Sequence, residues 1–278
     1  MSQYLKLLHM EIHRFRYMLA GLVGLIIVCQ FGALIIWITS QLNDIKLDGF
    51  ISENRPRNTG YFPDERLSFT EAVHSSYNIY FLPIMICAAV LILYVFVIWY
   101  RDWSGKSTFI YQLLMLPQSR HTLYWSKLTA ILVFVFGLLA VQLLLLVAQE
   151  WLFNWMVPSD LRIPSFFADI IAADPVFSIF LPSEIEQFFI SYGLGILLII
   201  IIFTVILIER SYRKIGVLYG LVYLVVVAVI LLYPLFRLGL TAYLYPHEII
   251  YMELTLLVLV CIGSLWFSFR LLNNKITV

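Results

Sequence analysis

The sequence predicts an all-α integral membrane protein with six transmembrane helices, and three observations carry that prediction. Hydrophobic residues make up 62% of the 278 residues and charged residues only 13%, where a soluble domain is about half apolar and about a quarter charged. Mean hydropathy is +0.92, more apolar surface than a water-soluble chain of this length can hide. Six segments of span length run without a charge or nearly so. They are 17–39, 79–100, 128–149, 187–208, 215–236 and 249–270. Finally, Lys and Arg fall on alternate sides of those segments.

Each segment is rich in Leu, Ile, Val and Phe and lacks period-two alternation, so a helix that satisfies its own backbone is expected rather than a barrel strand. A hydrocarbon core of about 30 Å takes about 20 residues of helix. The first segment holds about 23 uncharged residues, too long for a signal-peptide core. The first five carry no Asp, Glu, Lys or Arg, and the sixth carries Glu253 near its start and Arg270 at its end. Glu253 reads as a side chain that reaches outward along the helix, the alternative being a cation or substrate contact at the outer mouth. Gln142 and Thr204 fall within spans as uncharged polar residues, and hydrogen bonds between helices are expected for both.

Basic residues orient the bundle. With the N-terminus in the cytoplasm, the inner segments hold Lys6, Arg14, Arg16, Arg101, Lys106, Arg120, Lys127, Arg210, Arg213, Lys214, Arg270 and Lys275, and only three acids, Glu11, Asp102 and Glu209. The outer segments hold Lys46, Arg55, Arg57, Arg66, Arg162 and Arg237, with the remaining acids. Six spans then return the C-terminus to the cytoplasm. This implies a multi-pass protein of the cell membrane with the bilayer as its first partner. The net charge of +1 gives no reason to expect nucleic acid. One transmembrane domain, 1–278, accounts for the whole chain.

The connections differ in character. Loops 40–78 and 150–186 are long and outer, and Phe166, Phe167, Ile170, Ile171, Val176, Phe177 and Phe180 could lie along the membrane surface. Before the first span, Leu5, Leu8, Ile12 and Phe15 recur at spacings of three and four among Lys6, His9, His13, Arg14 and Arg16. This predicts an N-terminal amphipathic helix in the inner interface, the alternative being that the first span simply extends as a helix into water. The inner loop 101–127 is the most informative. Its stretch 107–116 suits a short helix with Phe109, Leu113 and Leu116 on one face, ended by Pro117. Such a knob beneath the bundle is suited to docking into a partner's groove.

No catalytic or metal site is expected. The string Gly105-Lys106-Ser107 lacks the earlier glycine of a phosphate-binding loop, its place being taken by Tyr100. His9 and His13 are spaced i, i+4 without a third ligand or a placed base. Cys29, Cys87 and Cys261 each lie inside an apolar run, as small filler between helices.

The layout and the inner loop resemble the permeases of type-2 ATP-binding-cassette exporters. In that family the loop runs through a glycine, a short apolar helix, a Leu-Pro-x-Ser-Arg-like turn and a lysine opening the third span. Here those positions read Gly105, Leu113 to Leu116, Pro117-Gln118-Ser119-Arg120 and Lys127. The resemblance implies that the stretch around Gly105, Phe109, Leu113, Leu116, Pro117, Ser119 and Arg120 is a cytoplasmic coupling helix contacting a nucleotide-binding ATPase subunit. The N-terminal helix of Leu5, Leu8, Ile12 and Phe15 would contact it too. A second permease subunit, identical or different, would complete the pore. ATP and magnesium would belong to the ATPase, leaving this chain without cofactor or catalysis of its own. The substrate would be amphipathic: a peptide, a drug or a lipid-like molecule. One departure is the shortness of 237–248, where the family often carries a re-entrant helix pair. The alternative is a membrane sensor or immunity protein that binds an extracellular ligand through 40–78 and 150–186 without an ATPase. A membrane-embedded transferase using loop acids such as Asp160 or Asp169 is a third reading.

Overall fold

The computed structural model describes residues 3–53, 66–104, 120–163, 185–212, 215–234 and 245–274. Its elements are α1 (Gln3–Glu53), β1 (Leu67–Ser68), α2 (Phe69–Ser75), α3 (Tyr77–Ser104), α4 (Arg120–Met156), a 3-10 turn (Ser159–Leu161), β2 (Arg162–Ile163), α5 (Ile185–Tyr212), α6 (Gly216–Pro234) and α7 (Pro246–Asn274). Six of the helices, α1 and α3 to α7, are long and apolar enough to cross a membrane, as a multi-pass membrane protein requires.

Each expected span lies within one of these helices, except that Ile215 just precedes α6 and 235–236 fall outside the described residues. The helix ends differ more. α1 runs unbroken for 51 residues. The expected interfacial helix is therefore continuous with the first span, and the expected loop from 40 is helical as far as Glu53. Nothing in 3–46 breaks a helix beyond a few isolated glycines, and polar residues such as Gln41, Asn43 and Asp44 continue one in water. α4 likewise continues to Met156. The surface stretch expected at 166–180 and any re-entrant segment in 237–244 lie outside the described residues.

The chain divides into two compact units, with α1, α3 and α4 each contributing a segment to both. The first takes in 1–14, 90–133 and 184–278. Its core is aromatic: Phe203 meets Trp99 and Tyr124 edge-on, each at 5.3 Å between ring centroids, and Tyr124 meets Phe269 at 5.4 Å. Hydrogen bonds between Thr204 and Ser268 (2.8 Å) and between Tyr223 and Ser264 (2.6 Å) tie α7 to α5 and α6. The expectation for Thr204 is met. At the entry to α6, a Cβ on Gly216 would stand 2.5 Å from the carbonyl oxygen of Glu209, so only glycine lets α5 and α6 turn so closely.

The second unit takes in 15–89 and 134–183. Leu34, Ile38, Phe69, Val73, Tyr80, Leu146 and Phe153 form its buried core. β1 and β2 pair in parallel, Leu67 against Arg162 and Ser68 against Ile163. A buried amide cluster joins α1 to α4. Gln30 and Gln142 exchange hydrogen bonds through their amide N–H groups (3.2 and 3.3 Å), and Gln149 Nε2 donates to Gln30 Oε1 at 3.0 Å. The expected interhelical role of Gln142 is thereby met.

Candidate functional site

The first unit holds a concentration of buried charge, built by three helices. Lys127 lies two turns into α4 and is fully buried. Asp102 lies near the end of α3 and Glu11 on the N-terminal part of α1, each 1% exposed. The Lys127 ammonium has three hydrogens, and three oxygens surround it: Asp102 Oδ2 at 2.5 Å, Ile98 O at 2.8 Å and Glu11 Oε1 at 3.1 Å. The Trp99 ring covers it at 5.3 Å.

Each carboxylate gives its other oxygen to an arginine. Arg101 Nη2 donates to Glu11 Oε2 at 2.7 Å, and Arg14 Nη1 to Asp102 Oδ1 at 3.4 Å. Both arginines are about one-third exposed, at 34% and 31%, so the cluster has a dry centre and a wet rim. Removing one partner of such a centre strands a charge and costs about 3–5 kcal/mol, whereas an apolar replacement of the whole group can be neutral. The arrangement therefore fixes geometry more than it adds stability. It holds α1, α3 and α4 in one register.

Asp102 and Arg101 immediately precede residues 105–119, and Arg120 and Lys127 follow them. Gly105, Phe109, Leu113, Leu116, Pro117 and Ser119, expected at the partner contact, lie outside the described residues. Arg120 is described, and its guanidinium donates to the carbonyls of Leu272 (2.6 Å) and Asn273 (3.5 Å). These are among the last carbonyls of α7, which have no partner in their own helix, and a cation is favoured there. Arg120 thus fastens the start of α4 to the end of α7. His121 adds an edge-on contact with Phe269 at 4.4 Å. Tyr4 adds another tie, donating to Thr129 Oγ1 at 2.7 Å.

The N-terminal set lies along the first turns of α1. Leu5 is 43% exposed, Leu8 and Ile12 are half-buried, and only Phe15 is fully buried, against Phe134 at 4.6 Å. The buried stripe of α1 runs through Leu7, Glu11, Phe15 and Leu22. An apolar periodicity cannot include Glu11, so it does not mark this stripe. Sequence reasoning also passed over the cluster itself. The available signal was that Glu11 and Asp102 are two of only three acids among twelve cations on that side.

Among the described residues no three His, Cys, Asp or Glu side chains converge as a metal centre would need, and all three cysteines are free thiols. Set beside known proteins, the chain finds no counterpart: no family model, no curated protein and no solved structure matches it.

Proposed function

We propose that the chain is the membrane-spanning permease subunit of an ATP-driven exporter, with both termini in the cytoplasm of a cell membrane. It would carry no catalysis itself. A separate nucleotide-binding subunit would hydrolyse ATP and drive passage of an amphipathic peptide, drug or lipid-like substrate between two permease subunits. The observation that carries this reading is the buried cluster of Glu11, Asp102 and Lys127. It grips the two helices on either side of 105–119 together with α1. A push delivered to that connection by a partner would be passed to three spans at once, through ion pairs too costly to break singly. The chain would act as a two-state element whose balance the partner shifts.

The test is co-purification. A tagged chain expressed with its nucleotide-binding subunit should bring that subunit through detergent extraction. Replacing Leu113→Asp and Leu116→Asp together should abolish the association while the spans stay folded. Association that survives both changes would defeat the assignment.

The sensor reading has one observation in its favour. Residues of the connections 40–78 and 150–186 pack together with span residues in one core, where β1 pairs with β2 and Phe69 packs on Phe153 at 5.7 Å. Full function in cells that contain no cognate ATPase would favour it.

A further inference from the structure

A second cluster in the first unit does not belong to the ion-pair network. Arg210, near the end of α5, places its guanidinium carbon 4.9 Å from the centre of the Tyr100 ring and 5.4 Å from that of Trp103. Both rings come from the last turns of α3. The Tyr100 hydroxyl is committed to Glu209 Oε2, which occupies the neighbouring carboxylate. No hydrogen bond or ion pair from the described residues reaches Arg210. Two buried donors, Arg210 Nε and Trp103 Nε1, are also left without an acceptor. A buried donor without a partner is costly and calls for an explanation. All three side chains are half-buried, so the cluster opens to its surroundings. It stands at the ends of two apolar helices, the level at which headgroups lie.

We propose that Arg210, held between Tyr100 and Trp103, binds the phosphodiester of an anionic phospholipid headgroup. The chemistry matches on three counts. A planar guanidinium donates two parallel N–H bonds to a phosphate. The indole N–H is a further donor beside it, enclosed until the ring turns toward a ligand, and the two rings fix the cation without neutralising it. Arg270 makes a useful contrast: it lies over a single ring, Trp266, at 5.3 Å, and is exposed. This site does not depend on the exporter reading.

The full-length protein in mixed micelles of phosphatidylglycerol and phosphatidylcholine, weighed intact by native mass spectrometry, tests the proposal. The wild type should retain phosphatidylglycerol in preference, and Arg210→Gln should lower that preference about fivefold, the worth of one cation near a lipid surface. Trp103→Phe keeps an aromatic ring, smaller than the indole, and removes the N–H, and should give a smaller loss. Lys46→Gln removes an equal but exposed charge from the stretch of α1 beyond its apolar run and should change little. Equal retention by wild type, Arg210→Gln and Trp103→Phe would overturn the site, as would an equal loss in Lys46→Gln. Displacement of the lipid from the wild type by inorganic phosphate alone would assign the site to a free anion instead and defeat the lipid assignment.

Discussion

Lys127 is the residue on which most contacts of the ion cluster converge, with an oxygen for every ammonium hydrogen. Lys127→Met would leave Glu11 and Asp102 facing each other in a dry site. The expected loss is about 3–5 kcal/mol, read as a lower melting temperature in detergent. Arg101→Gln should cost much less, about 0–1 kcal/mol, because its guanidinium is one-third exposed and water can replace it. If the two variants melted alike, the distinction between buried centre and wet rim would be wrong. Little of this was legible in the sequence beyond the scarcity of acids among so many cations. Hydropathy averages over a window, and within it Asp102 and Lys127 register only as charges at the edge of a span. Which acid meets which base depends on how α1, α3 and α4 are packed, and a single sequence carries no record of that.

Among elements, the spans were legible and their ends were not. Six apolar runs mark the hydrocarbon-length part of α1 and α3 to α7, because burying a charge there is expensive. A helix ends, however, where the backbone is broken rather than where the polarity changes. α1 therefore runs past both edges of its apolar stretch. The polar residues within spans were partly legible: Gln142 and Thr204 were expected to bond between helices, and Gln30 and Ser268 emerged as their partners. Gln30→Leu should strip Gln142 and Gln149 of their acceptor. A hydrogen bond between helices in a membrane is worth about 0.6 kcal/mol and at most about 1.7, so the melting temperature should fall only slightly. Gly216→Ala should be worse. Its methyl group would press on the Glu209 backbone, which cannot yield as a side chain would, at a cost of about 1–3 kcal/mol. A stable Gly216→Ala protein would show that the turn between α5 and α6 has room to open.

For the whole molecule, the alternation of basic residues is a statement about topology that can be checked directly. A reporter enzyme fused after Phe50 and another after Lys106 should be found on opposite faces of the membrane, the second on the same face as the N-terminus. Finding both on one face would remove the inside-positive arrangement, and the exporter reading with it. The class of the molecule was the most legible part, since composition and span count set it. The proposed partner contact was the least legible. Its defining stretch is short and degenerate, and the one described member, Arg120, turns inward to α7.

The separation of Glu11 from Lys127 along the chain also bears on biogenesis. The two are 116 residues apart. At about 5–20 residues per second, a ribosome makes Glu11 several seconds before its counter-ion exists. Until then the carboxylate has only Arg101, a partly exposed partner that arrives with the second span, and it lacks the buried ammonium that a dry site requires. That end can sink into place only after the third span has been delivered, which makes translation itself the clock for maturation of the bundle.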